Sequence, residues 1–169
     1  MSDRATLRIA LGILVVTGLF VGVWAAIAPR SFFLDFPGFG HQWVATDGPY
    51  NEHLVRDVGD LNLALATVTA GAALWLSRPL IITAALAWLV YSAPHFAYHA
   101  LNLQVLRPDD RVPTLGSLAV PIVMAVVVLA VAGPTRRDAP AESDSAALPP
   151  GPRRRRGARR APEGDSDRR

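Results

Sequence analysis

Four apolar runs, each long enough to cross a bilayer, occupy most of this chain of 169 residues. A hydrocarbon core of roughly 30 Å takes about 20 consecutive apolar residues as a helix, and inside it every backbone N–H and C=O must be satisfied within the segment. The runs cover residues 7–28, 54–76, 80–103 and 115–132. Connections as short as Ser77-Arg78-Pro79 force neighbouring runs to be antiparallel. The chain is therefore expected to be all-α, an up-down transmembrane four-helix bundle.

Composition narrows the chemistry. Hydrophobic residues make up 51% and are gathered in continuous runs rather than periodic stripes, the pattern of a lipid-embedded chain. There is no cysteine, which excludes disulfides, thiolate metal sites, iron-sulfur clusters and covalently attached haem. A divalent metal would have to use His, Asp or Glu.

All 17 basic residues are Arg, unevenly placed. Residues 1–133 hold seven Arg and eight acids, net −1, and residues 134–169 hold ten Arg and six acids, net +4. The latter segment is Pro, Ala, Gly, Ser, Arg and acids with Leu148 as its one large aliphatic, so it is expected to be a disordered Arg-rich tail. Arg153, Arg154, Arg155, Arg156, Arg159 and Arg160 are suited to anionic lipid headgroups, each basic residue contributing roughly 1 kcal/mol near the surface. Aromatic residues are not interleaved with them, which disfavours nucleic acid.

Orientation follows from Arg counts beside the runs. Arg4, Arg8, Arg78, Arg136 and Arg137 fall on one side and Arg30, Arg107 and Arg111 on the other. The positive-inside rule puts both termini in the cytoplasm of a bacterial inner membrane. The first run ends in Ala26-Ile27-Ala28, similar to a signal-peptidase site, but Pro29 follows and the run is long for a signal core, so it is read as a retained span.

Residues 29–51 read as a loop whose Phe32, Phe33, Phe36, Phe39, Trp43 and Tyr50 suit the headgroup layer, or form a lid over a pocket. Pro94 interrupts the third run and is expected to kink it beside His95. Gly18 with Gly22, and Ala66 with Ala70 and Gly71, mark close helix packing within the chain.

Charge inside two of the runs demands explanation, because a central Asp or Arg costs roughly 2.5 to 3.5 kcal/mol on insertion scales. Glu52, His53, Arg56, Asp57 and Asp60 fall within an arc of about 140° on the second run. Tyr91, His95, Tyr98, His99 and Asn102 share an arc of about 100° on the third. At 1.5 Å per residue, Asp57 and His99 lie about 5 Å below the outer boundary, and Asp60 and His95 about 10 Å. The two stripes are expected to face each other across an outward-opening site made by Arg56, Asp57, Asp60, Tyr91, His95, Tyr98, His99 and Asn102.

Several uses of that site stand open. Arg56 with Glu52 and Asp60, and His53 with Asp57, could neutralise themselves and bind nothing. A metal could take His53, Asp57, His95 and His99, since i to i+4 spacing puts two ligands on one helix face. The same groups could relay a proton or hold a small solute, because His titrates near neutral pH. Haem between two histidines is disfavoured, because His53 is too shallow to oppose His95.

The stretch from Asp47 to Gly59, with Asn62-Leu63-Ala64-Leu65 and the later Pro94-His95-Phe96-Ala97-Tyr98-His99, resembles a pattern in small bacterial four-span membrane proteins. The whole layout over residues 7–132 is loosely similar to DoxX-like proteins. That resemblance implies a four-helix inner-membrane fold, and no catalytic residue. Metal-binding or redox-accessory work, proton-coupled transport, and a structural part beside other membrane-complex subunits are the functions it leaves in competition.

Overall fold

The computed structural model describes residues 2–133. Four long helices dominate it: α1 (Asp3–Ile27), α3 (Glu52–Trp75), α4 (Arg78–Leu101) and α5 (Arg111–Ala132), with the short α2 (Pro29–Asp35) between the first two. The four long helices are each long and apolar enough to cross a membrane, as the apolar runs require. Their chain order alternates up and down. α1 packs along α3 and α5, and α4 packs along the same two, so the four close into a ring.

Local chemistry sets the ends. The Ser2 hydroxyl accepts from the Ala5 N–H at the start of α1, and the Asn51 side chain accepts from the Leu54 N–H at the start of α3. Leu76 closes α3 in the left-handed region at φ 49°, and α4 begins at Arg78 with Pro79 in its first turn, which makes the turn between them tight. At that end the Arg78 Nε donates to the Ala132 carbonyl at 3.0 Å, tying the start of α4 to the last carbonyls of α5. α4 runs on through Pro94 as one helix.

The segment expected to be a loop carries structure. After α2 come two short antiparallel strands, β1 (Pro37–Gly38) and β2 (His41–Gln42). Gly38 at the end of β1 and Gly40 in the turn take φ of 100° and 82°, where a side chain would be strained. Phe39 at its tip is fully exposed, whereas Phe32 is buried and Phe36 and Trp43 are partly covered. The aromatic residues thus divide between an outward tip and an inward lid.

Burial falls into two clusters. The larger, near the start of α1, joins Leu7, Leu11, Leu14, Ile81, Trp88 and Val128. The smaller, under α2, joins Ala25, Phe32 and Val55. Tail residues 134–169, with the expected lipid contacts of Arg153, Arg154, Arg155, Arg156, Arg159 and Arg160, lie outside the described residues.

Candidate functional site

A partly open chamber of about 550 Å³ lies at the hairpin end of the bundle. All four long helices line it, through Val16 and Phe20 of α1, Val58 of α3, Trp88 of α4, and Leu118 and Val120 of α5. Phe32, Phe36 and Trp43 line it from the α2 and hairpin segment. The volume is in the range of small-molecule pockets, and most of the wall is apolar.

One side of the wall is polar. The Asn62 amide donates to the Tyr91 hydroxyl at 3.0 Å and to the Val58 carbonyl at 2.8 Å. Tyr91, His95 and His99 follow on successive turns of α4, so their rings stand in a row. Ring centroids are 5.9 Å apart between Tyr91 and His95 and 4.9 Å between His95 and His99. At the end of the row the His99 Nε2 lies 3.8 Å from the Asp47 carboxylate. Trp88 lies further along α4 toward its start, and its indole N–H donates to the Thr69 hydroxyl at 2.8 Å.

Three polar atoms of residues lining the chamber are buried with no hydrogen-bond partner among the described residues: Ser92 Oγ, His99 Nδ1 and Thr114 Oγ1. Their residues are 4%, 8% and 3% exposed. Native proteins rarely bury such groups unpaired, since each costs about 1 to 3 kcal/mol.

The carboxylate opposite the histidines is therefore Asp47, from the turn ahead of α3, and not Asp57 or Asp60. Those two are exposed and do not line the chamber. Arg56 pairs with Glu52 at 2.9 Å and donates to the Ala26 carbonyl of α1, away from α4. His53 lies 3.4 Å from Asp57 on the outer surface of α3, its side chain 88% exposed.

The reason is packing. The buried face of α3 is Val55, Gly59, Asn62, Ala66, Thr69 and Ala72, at spacings of three or four, and the charged stripe falls beside it. Small residues let α3 approach α1 closely, so that face turns inward and the charges turn out. The expected metal set of His53, Asp57, His95 and His99 is accordingly split between the outside of α3 and the chamber. Among the described residues, no group of three or more His, Asp or Glu is placed to hold a metal ion.

Of the other expected residues, Tyr98 is exposed and packs its ring 5.3 Å from His99, and Asn102 ends α4, its amide donating to the Tyr98 carbonyl. Neither lines the chamber. Asp47, Asn62, Ser92 and Thr114 join the site instead. Asn62 was visible as a lone amide within an apolar run, and Ser92 lies one turn before His95 on the same face; nothing local marked Asp47 or Thr114.

Above the chamber a second polar contact holds the lid. Asp110, 2% exposed, is the residue that precedes α5, and its carboxylate turns to the hairpin rather than capping its own helix. The Trp43 indole N–H donates to it at 2.9 Å, and the His41 Nδ1 lies 2.5 Å from the same oxygen. Burial alone would raise the Asp110 pKa, but the hydrogen bonds from Trp43 and His41, with the nearby His41 and Arg107 charges, hold it below the ordinary carboxylate value. No family model matches the chain, and neither a curated protein nor a solved structure does, so its chemistry is read from its own side chains.

Proposed function

We propose that this chain is a multi-pass membrane protein whose four-helix bundle holds a small apolar molecule in the chamber under the aromatic lid. The observation that carries this reading is the 550 Å³ volume with mostly apolar walls and one polar side made by Asn62, Tyr91, His95 and His99. Pockets that bind small ligands combine these two properties, the apolar wall supplying affinity and a few polar groups fixing orientation. The Arg distribution supports an orientation with the N-terminus in the cytoplasm of a bacterial inner membrane, which puts the chamber in the outer half. The DoxX-like layout is compatible with that placement and adds no reaction.

Val58 lines the chamber, so Val58→Trp should fill part of it. Protein in lipid nanodiscs is expected to raise the emission of an apolar environment-sensitive dye above that of empty nanodiscs, and the filled variant to lose that increment. Equal dye emission from a folded Val58→Trp protein would sink the reading.

The row from Tyr91 to Asp47 favours a second reading, movement of a proton along α4 as the ligand exchanges. Imidazole rings on successive turns can pass a proton through bridging water to a carboxylate at the bundle end. Ligand-dependent proton uptake by proteoliposomes should then be present in the wild type and abolished in His99→Phe.

A further inference from the structure

We infer that the chamber fills from the side: the seam between α1 and α5 admits a hydrocarbon chain of the surrounding bilayer, and that chain is the chamber's occupant. This rests on the reading of the protein as a membrane bundle with a ligand chamber, and it specifies the ligand's chemistry and its route.

The ring of helices is not evenly closed. α1 packs most extensively on α3, and α4 on α5, so the bundle is two tight pairs that meet along two looser seams, α1 with α5 and α3 with α4. The chamber takes its wall from both pairs. At the first seam the residues that line it are also exposed. Val16 and Phe20 of α1 are 67% and 50% exposed, Val120 of α5 is 40% exposed, and Ser117 of α5 is exposed as well. Side chains that border the chamber and keep that much free surface mark an edge where the wall is open.

Depth places this edge in hydrocarbon. At 1.5 Å per residue, Phe20 and Val16 lie about 10 Å and about 16 Å from the hairpin end of α1 at Ile27, and Ser117 and Val120 lie about 9 Å and about 14 Å from the start of α5 at Arg111. The two rims are level, and both fall well inside helices long enough to cross a hydrocarbon layer of roughly 30 Å.

The chemistry of the rim agrees with its depth. Ser117 Oγ donates to the Thr114 carbonyl at 2.9 Å, and the neighbouring Thr17 Oγ1 donates to the Ile13 carbonyl at 2.9 Å, so each hydroxyl is satisfied within its own helix. A hydrocarbon chain can cross this rim without leaving an apolar phase. The remaining exposed liners, Asp47, Leu54 and His95, are on the α3 and α4 side, where the Asp47 carboxylate stands beside His99. An alkyl chain passing there would have to strip water from polar groups and give them no hydrogen bond in return. At the hairpin end Phe36 and Trp43 cover the chamber, and Trp43 is held by Asp110.

The experiment places one thiol in the chamber. Val58→Cys in the whole chain, which has no cysteine of its own, is reconstituted in zwitterionic nanodiscs and treated with decyl methanethiosulfonate, which dissolves in the bilayer, or with its charged sulfonatoethyl counterpart, which stays in water. Each rate is divided by the rate of the same reagent with the unfolded protein, so that the reagents' own reactivities cancel. On that scale the decyl reagent should react at least roughly tenfold faster than the charged one, and Ser117→Phe/Val120→Phe, which sets two rings across the seam, should slow the decyl reagent roughly tenfold and leave the charged one unchanged. Ser117→Phe alone serves, with a smaller slowing, if the double variant does not fold.

A decyl rate unchanged in the folded seam variants, or a charged reagent that reacts as fast as the decyl one, would overturn entry from the bilayer while leaving the chamber as a ligand site. A thiol that reacts with neither reagent until the protein is unfolded would remove the ligand site itself.

Discussion

Asp110 shows how one buried carboxylate can fix a lid. It accepts from the Trp43 indole N–H at 2.9 Å and meets His41 at 2.5 Å, so Asp110→Ala would leave a partly buried indole N–H without its partner. Hydrogen bonds to charged groups contribute about 1.5 to 3 kcal/mol each, and the expected loss of stability is about 2 kcal/mol, read as a lower thermal midpoint, with Asp110→Asn losing less. Its pH dependence has a definite sign. Because the folded-state pKa is lowered, the contribution is complete above the ordinary carboxylate range and disappears as pH falls through the lower folded value. Thermal midpoints of wild type and Asp110→Ala should therefore converge only in strong acid; convergence at neutral pH would contradict the assignment. His53 is the contrasting case, since its pair with Asp57 is solvent-facing, and His53→Ala should change stability by less than about 0.5 kcal/mol.

Helix pairs explain why the charged stripe of α3 does not meet α4. An added Cβ on Gly59 would come within 2.6 Å of the Ala26 nitrogen and 3.0 Å of the Ala25 carbonyl carbon, both backbone atoms that cannot move aside. Gly59→Ala should cost about 1 to 3 kcal/mol by forcing α1 and α3 apart. Gly116 on α5 has open space where a Cβ would go, so Gly116→Ala should be neutral or stabilising by up to about 1 kcal/mol. Unfolding of the two variants in the same detergent checks the contrast, and equal effects would mean that the close crossing of α1 and α3 is not what orients α3. The small residues were visible in the chain as spaced Gly and Ala. Which neighbour they would turn toward was not, because a helical face is local whereas its partner is set by the packing of the other three helices.

An up-down bundle puts the two termini of each long helix at opposite ends, so exposed Ser2 and exposed Thr46 should be reached from opposite sides of a membrane. The chain has no cysteine, and single Ser2→Cys and Thr46→Cys variants can be labelled with a membrane-impermeant maleimide. Each is expected to react from one side only, and from different sides; labelling of both from the same side would break the four-span topology. The four helices were legible beforehand: residues 7–28, 54–76, 80–103 and 115–132 overlap Asp3–Ile27, Glu52–Trp75, Arg78–Leu101 and Arg111–Ala132, because span length is a property of consecutive apolar residues. The strand pair and α2 in residues 29–51 were less legible, being held by contacts with residues far along the chain such as Asp110. The amino-acid order by itself determined the number, length and alternation of the spans, since these depend on local hydrophobicity and backbone hydrogen bonding. Tertiary structure alone decided that Asp47 rather than Asp57 or Asp60 meets His99, that Arg56 turns to α1, and that Asn62 of α3 bonds Tyr91 of α4 beside one chamber. Those outcomes depend on how tightly the helices approach and rotate against one another, a balance of side-chain volume and desolvation spread over the whole bundle.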